Sequence, residues 1–96
     1  MPGELQISEV VARGYPPAVL YLRNDETVTT EVCAFNYFSI FMKDNPDVDA
    51  HVWFFDGAGK QAGYFHRELG VNGQLQLQTS GLCPRVSGTV AMALVP

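Results

Sequence analysis

His51 and His66, a short acidic loop and a run of aromatic residues are where this sequence brings together side chains able to do chemistry. The two histidines stand towards the open end of a predicted hairpin, Ala50 to Glu68, and could approach one another. Two imidazoles alone do not make a zinc site, and no third ligand stands at a helpful spacing in the sequence. His66 near Glu68 suggests acid–base work, yet no motif places a nucleophile beside them. Both histidines therefore read as partly buried polar tips at a strand end, with ligand binding as the sharper alternative. The loop Asn45-Pro46-Asp47-Val48-Asp49 begins like a calcium loop, with oxygen ligands at alternate positions. It then has Ala50 where such a loop needs glycine, and it runs into a strand. A solvated acidic turn is the simpler reading, and Asp44, Asp47 and Asp49 remain a weak metal candidate. Trp53, Phe55, Tyr64 and Phe65 could form a flat platform for a glycan or another planar ligand. In a small β-domain such residues more often fill a core or a subunit interface.

The element that must position these residues is AHVWFFDGAGKQAGYFHRE, two strands joined at Asp56-Gly57-Ala58-Gly59-Lys60. That segment fits a type I turn followed by a glycine in the left-handed region, here Gly59. It lacks the glycine spacing and the Lys-Ser/Thr ending of a phosphate loop. If Asp56 pairs with Lys60, Phe55 faces Gln61, Phe54 faces Ala62, Trp53 faces Gly63 and Val52 faces Tyr64. One face then carries His51, Trp53, Phe55, Gly63 and Phe65. The other carries Ala50, Val52, Phe54, Ala62, Tyr64 and His66. A one-residue slip would re-sort the second strand, because side chains alternate with period two. Neither face is polar in either register, whereas a half-solvated antiparallel sheet alternates. One face must pack in the core, and the other must be covered by a second sheet, another subunit or a ligand.

Elsewhere the chain reads as short strands and turns. Gln6 to Ala12 is expected to be a first strand, stopped by Gly14-Tyr15-Pro16-Pro17. Ala18 to Leu22 is an apolar run, and Val28 to Asn36 alternates with β-branched residues at its start. FNYFSIFM, residues 35–42, is apolar enough to need cover, so Phe38 and Phe41 are expected at an interface. It fits a strand better than a helix on its aromatic and β-branched content. Lys43 to Asp49 is a loop, and Asn72-Gly73 marks another turn. Gln74 to Thr79 points Leu75 and Leu77 inward and three glutamines outward. Val86 to Val95 has two non-polar faces, as in a strand packed on both sides. The expected fold is one all-β domain over residues 1–96, an antiparallel β-sandwich of jelly-roll or Ig-like type. It would contain roughly seven or eight short strands.

Composition excludes some partners. Apolar residues make up 47% of the chain, which suits a globular domain. The formal charge is −4 and the basic residues are scattered, against nucleic acid and anionic membranes as partners. Met1-Pro2-Gly3-Glu4 has neither the positive start nor the apolar core of a secretory leader, so a soluble cytoplasmic protein is expected. Cys33 and Cys83 are read as reduced thiols, a disulfide requiring export. No cofactor is implied. The expected activity is binding without catalysis, with a second copy of the chain as the main partner. A monomeric glycan or small-molecule binder using Trp53 and Tyr64 is the alternative.

Three short matches, in order along the chain, give a resemblance. They are Ala12-Arg13-Gly14-Tyr15-Pro16-Pro17, then Glu31-Val32-Cys33 with Asn36, then Asp49-Ala50-His51-Val52 entering a strand that ends at Asp56. Together they resemble the sensory-rhodopsin-transducer-like family of small bacterial β-sandwich proteins. The resemblance implies a non-catalytic homo-oligomer that passes a signal or binds a small ligand. This chain departs from the family at its end, Ala91-Met92-Ala93-Leu94-Val95-Pro96, where the family has a segment rich in Arg, His and Asp. Tyr37 to Lys43 has no counterpart either.

Overall fold

A computed structural model of the protein describes residues 5–15, 17–36, 47–70, 73–82 and 85–95. Among these are one α-helix, α1 (Ile7–Ala12), and six strands. The strands are β1 (Ala18–Arg23), β2 (Glu31–Phe35), β3 (Val48–Asp56), β4 (Gln61–Leu69), β5 (Gln74–Gln78) and β6 (Ser87–Val95). They form a four-stranded sheet in the order β1-β6-β3-β4 and a two-stranded sheet of β2 and β5. Every pairing is antiparallel. The mostly-β, antiparallel expectation holds. Phe38, Phe41 and Asp44, like Cys83 and Asn72, lie outside the described residues.

The segment expected as a first strand is a helix instead. Ile7 and Val10 lie three residues apart, and Val10 is buried against the four-stranded sheet. The N-terminus is closed by Glu9, whose carboxylate accepts from the Gln6 N–H at 3.4 Å. At the other end the Tyr15 N–H donates to the Val10 carbonyl and the Gly14 N–H to that of Val11, each at 3.0 Å. With Gly14 at φ +87°, this is a Schellman closure, and Tyr15 and Val10 share one apolar cluster. So small a helix is held by this packing and its caps rather than by intrinsic propensity.

β3 is buried on both sides, as its two apolar faces require. Val48, Ala50, Val52 and Phe54 join Val32 of β2, Leu75 of β5, Leu22 and Val90 in one core cluster. Trp53 joins Val10, Ala91, Ala93 and Val95 in a second, with Leu5, Ile7 and Tyr15 packed on it. The unknown cover is thus supplied within the chain: the two-stranded sheet on one side and α1 on the other. Ala91 and Ala93 of β6 are small enough to admit the helix and the Trp53 indole. Polar groups that become buried are paired. The Asn24 amide donates to Thr79 Oγ1 at 2.8 Å, and Asn24 Oδ1 accepts from the Thr30 N–H at 3.0 Å. This knot fastens the end of β1 to the end of β5.

The hairpin turn is as expected. Gly59 sits at φ +83°, its N–H donates to the Asp56 carbonyl at 3.0 Å, and Asp56 Oδ1 accepts from Ala58 and Lys60. The register beyond it is not. Phe55 faces Gln61, but Phe54 faces Gly63, with a bulge between them. One extra residue in β4 moves Tyr64 opposite Trp53, Phe65 opposite Val52 and His66 opposite His51. Tyr64 and His66 therefore share the face of Trp53 and His51. Phe65 turns to the opposite core, where the Arg67 guanidinium lies 5.1 Å from its ring centroid.

Candidate functional site

The bulge builds a three-rung ladder across β3 and β4. Trp53 stands opposite Tyr64, His51 opposite His66, and Asp49 opposite Glu68. Aromatic, imidazole and carboxylate pairs thus follow one another along a single face. Of the two strands that carry them, β3 is hydrogen-bonded on both edges, to β4 and to β6.

Each rung is tied to the next. The rings of His51 and His66 stack 4.7 Å apart at 15°. His51 Nδ1 lies 2.6 Å from the Tyr64 hydroxyl, which also accepts from the Leu5 N–H at 3.4 Å. His66 Nε2 lies 3.1 Å from Asp49 Oδ1. Trp53 stacks beside His51 at 5.8 Å, and its Nε1–H donates to the Leu5 carbonyl at 2.8 Å. Ligand atoms of Asp49, His51 and His66 all lie within 4.8 Å of one another. Beside this trio is a cleft of about 140 Å3 lined by Asp47, Val48, Asp49, Glu68 and Val95.

These positions correct two expectations. Trp53 is 1% exposed, beneath α1, so it is neither an open stacking platform nor a subunit contact. Phe55 and Tyr64 are half-buried in the same cluster. A third donor does stand beside the two histidines: Asp49, from the end of the acidic loop segment, turns its carboxylate to His66. Asp49 and His51 alternate on one strand face, a spacing visible in the sequence. Their meeting with His66 depends on the bulge and was not. Asp47 is exposed at the cleft.

The histidines differ in environment. His51 is 5% exposed, and its pKa is lowered by burial first, then by His66 and Arg13, with Asp49 opposing. Below the unfolded value of about 6.5, the unfolded chain protonates this ring before the folded protein does. Its stability contribution is therefore complete above that pH and is lost as pH falls through the folded value. The urea midpoint should fall between pH 7.5 and pH 5, and His51→Gln should flatten that slope. Equal slopes in the two proteins would contradict the burial of a neutral His51. Cys33 offers no comparable chemistry. Its exposed free thiol donates to Glu31 Oε1 at 3.2 Å, which raises its pKa and keeps it protonated.

No protein-family model matches the chain, and no curated protein or solved structure matches it either. Among the described residues, no helix is long and apolar enough to cross a membrane.

Proposed function

We propose that this protein is a non-catalytic binding module that works as a homo-oligomer, joined through the edge of β1 that pairs with no other strand among the described residues. The observation that carries the proposal is the exposure of that strand's apolar side chains. Val19, Leu20 and Tyr21 are 66%, 46% and 75% exposed. β1 is an outer strand of the four-stranded sheet, and Ala18 to Leu22 contains no charge, proline or glycine. Edge strands of monomers are normally blunted by such residues, because an open apolar edge recruits another strand. The opposite edge, β4, carries His66, Arg67 and Glu68 near its end.

A second copy suits this edge well. Antiparallel pairing of β1 with itself about a two-fold axis brings the same side chains from both protomers to one interface and continues the sheet. Burial contributes on the order of 1.5–3 kcal/mol per fully covered large apolar side chain. Both copies contribute such groups against the ordering cost of association. This moves the proposed interface from the central hairpin, whose apolar faces are covered within the chain, to β1. The finer architecture proposed with it is a jelly-roll or Ig-like sandwich, supported by the way Val32 and Leu75 pack with β3. A cytoplasmic signalling or ligand-sensing role, implied by the family resemblance, belongs to the same proposal.

Light scattering over a range of concentrations tests it. The protein should run as a dimer or larger, and Val19→Lys/Tyr21→Lys should run as a monomer. Its melting temperature at high dilution should match that of the parent, since exposed substitutions change stability by only about 0.5 kcal/mol. A parent that stays monomeric at every concentration, or a double variant that stays associated, overturns the proposal.

A further inference from the structure

We propose that Asp49, His51 and His66 form a binding site for a divalent first-row transition metal of zinc's class. None of these residues belongs to the β1 edge, so this inference stands apart from the self-association reading.

The donor set comes first. Two imidazoles and one carboxylate are borderline ligands that suit Zn²⁺ and its neighbours. Calcium and magnesium prefer cages of oxygen, and Cu⁺ prefers sulfur, so the chemistry here selects against them. Geometry agrees. Tetrahedral zinc with bonds of about 2.0–2.1 Å needs ligand atoms roughly 3.3 Å apart. His66 Nε2 and Asp49 Oδ1 already stand 3.1 Å apart, and all three ligand atoms lie within 4.8 Å. The side chains of the exposed His66 and half-buried Asp49 are the ones placed to close the remainder.

The surroundings orient the least mobile ligand. Tyr64 holds His51 Nδ1 at 2.6 Å, and the Trp53 ring stacks against the imidazole. If Nδ1–H donates to the hydroxyl, Nε2 is the nitrogen left to ligate a metal. Metal-bound histidines characteristically have their other nitrogen fixed by such a partner. Asp49, which would be a ligand, also belongs to the cleft shared with Glu68 and Asp47. The two further carboxylates there favour a cation electrostatically. Three protein ligands leave a fourth position for water or an exchangeable small ligand, as in open zinc sites.

The test uses the whole chain, stripped with a chelator and titrated with Zn²⁺ by calorimetry, and with Co²⁺ by visible absorption. The parent should bind one equivalent of Zn²⁺ and show the intense visible bands of low-coordinate Co²⁺. His66→Ala and Asp49→Asn should each weaken binding at least tenfold. Tyr64→Phe should weaken it about tenfold while leaving the stoichiometry intact, the size of effect expected for a residue that orients a ligand. His66 and Asp49 are chosen because neither is buried; circular dichroism checks that each variant folds. Absence of one-to-one binding overturns the site. So does binding that survives both substitutions, or that falls instead with Cys33→Ser.

Discussion

Trp53→Ala should cost the protein about 3–5 kcal/mol, the range for deleting a large buried aromatic. That is a large share of the roughly 5–15 kcal/mol that stabilises an ordinary domain. Trp53 of β3 both fills the cluster beneath α1 and bonds to the segment leading into the helix, through Nε1 and the Leu5 carbonyl. Removing it leaves a cavity between Val10, Ala91 and Ala93 and releases that bond. The helix, only six residues long, has little to hold it without the sheet. Hydrogen exchange at the Arg13, Gly14 and Tyr15 amides, which close the helix, should therefore accelerate more than exchange in β2 and β5. Trp53→Phe, which keeps most of the bulk, should cost nearer to the value of the hydrogen bond, about 1 kcal/mol, plus a smaller cavity term. An exposed stacking residue would behave in the opposite way. If Trp53→Ala unfolds at the parent's urea midpoint, α1 does not cover this face.

Gly88→Ala is the second large effect, and it arises from backbone rather than from side chains. A Cβ at Gly88 would collide with the Phe55 carbonyl oxygen and lie 2.6 Å from the Asp56 carbonyl carbon. Both are main-chain atoms of β3 at the point where Gly88 pairs with Asp56. Neither can swing aside as a side chain would, so β3 and β6 must separate. Overpacking usually costs about 1–3 kcal/mol, and contact with backbone on this scale should reach about 3 kcal/mol. Gly57→Ala supplies the contrast. Its Cβ would meet only the Ser87 carbonyl oxygen, at an ordinary 3.6 Å, and the change should stay within about 0.5 kcal/mol. Urea denaturation of the two variants, measured side by side, decides the point. Equal midpoints would mean that β3 and β6 are not closely paired at Asp56 and Gly88. Because this pairing also continues along the strand to Asp49 and Val95, its loss should propagate towards the histidine pair.

Residue alternation and turn chemistry already place most of the strands. Leu75 and Leu77 alternate with three glutamines, and β5 forms over that segment with Leu75 buried. The two non-polar faces of Val86 to Val95 required cover on both sides, and β6 has it, with Val90 in one cluster and Ala91 and Ala93 in the other. Asp56 to Lys60 carried its turn chemistry in five residues. These features are local: period-two alternation and the conformational needs of one glycine suffice to write them.

The rest depends on contacts between segments far apart in the chain. Gln6 to Ala12 shows too few turns for a helical period to stand out, and its conformation is selected by the Trp53 face that Val10 packs against. The bulge between Phe54 and Phe55 is settled by hydrogen bonding between two strands, which no residue of β4 announces by itself. That single extra residue put Tyr64 and His66 beside His51, so the whole candidate site follows from it. Side chains on a strand alternate, and a shift of one position moves every later residue to the other face.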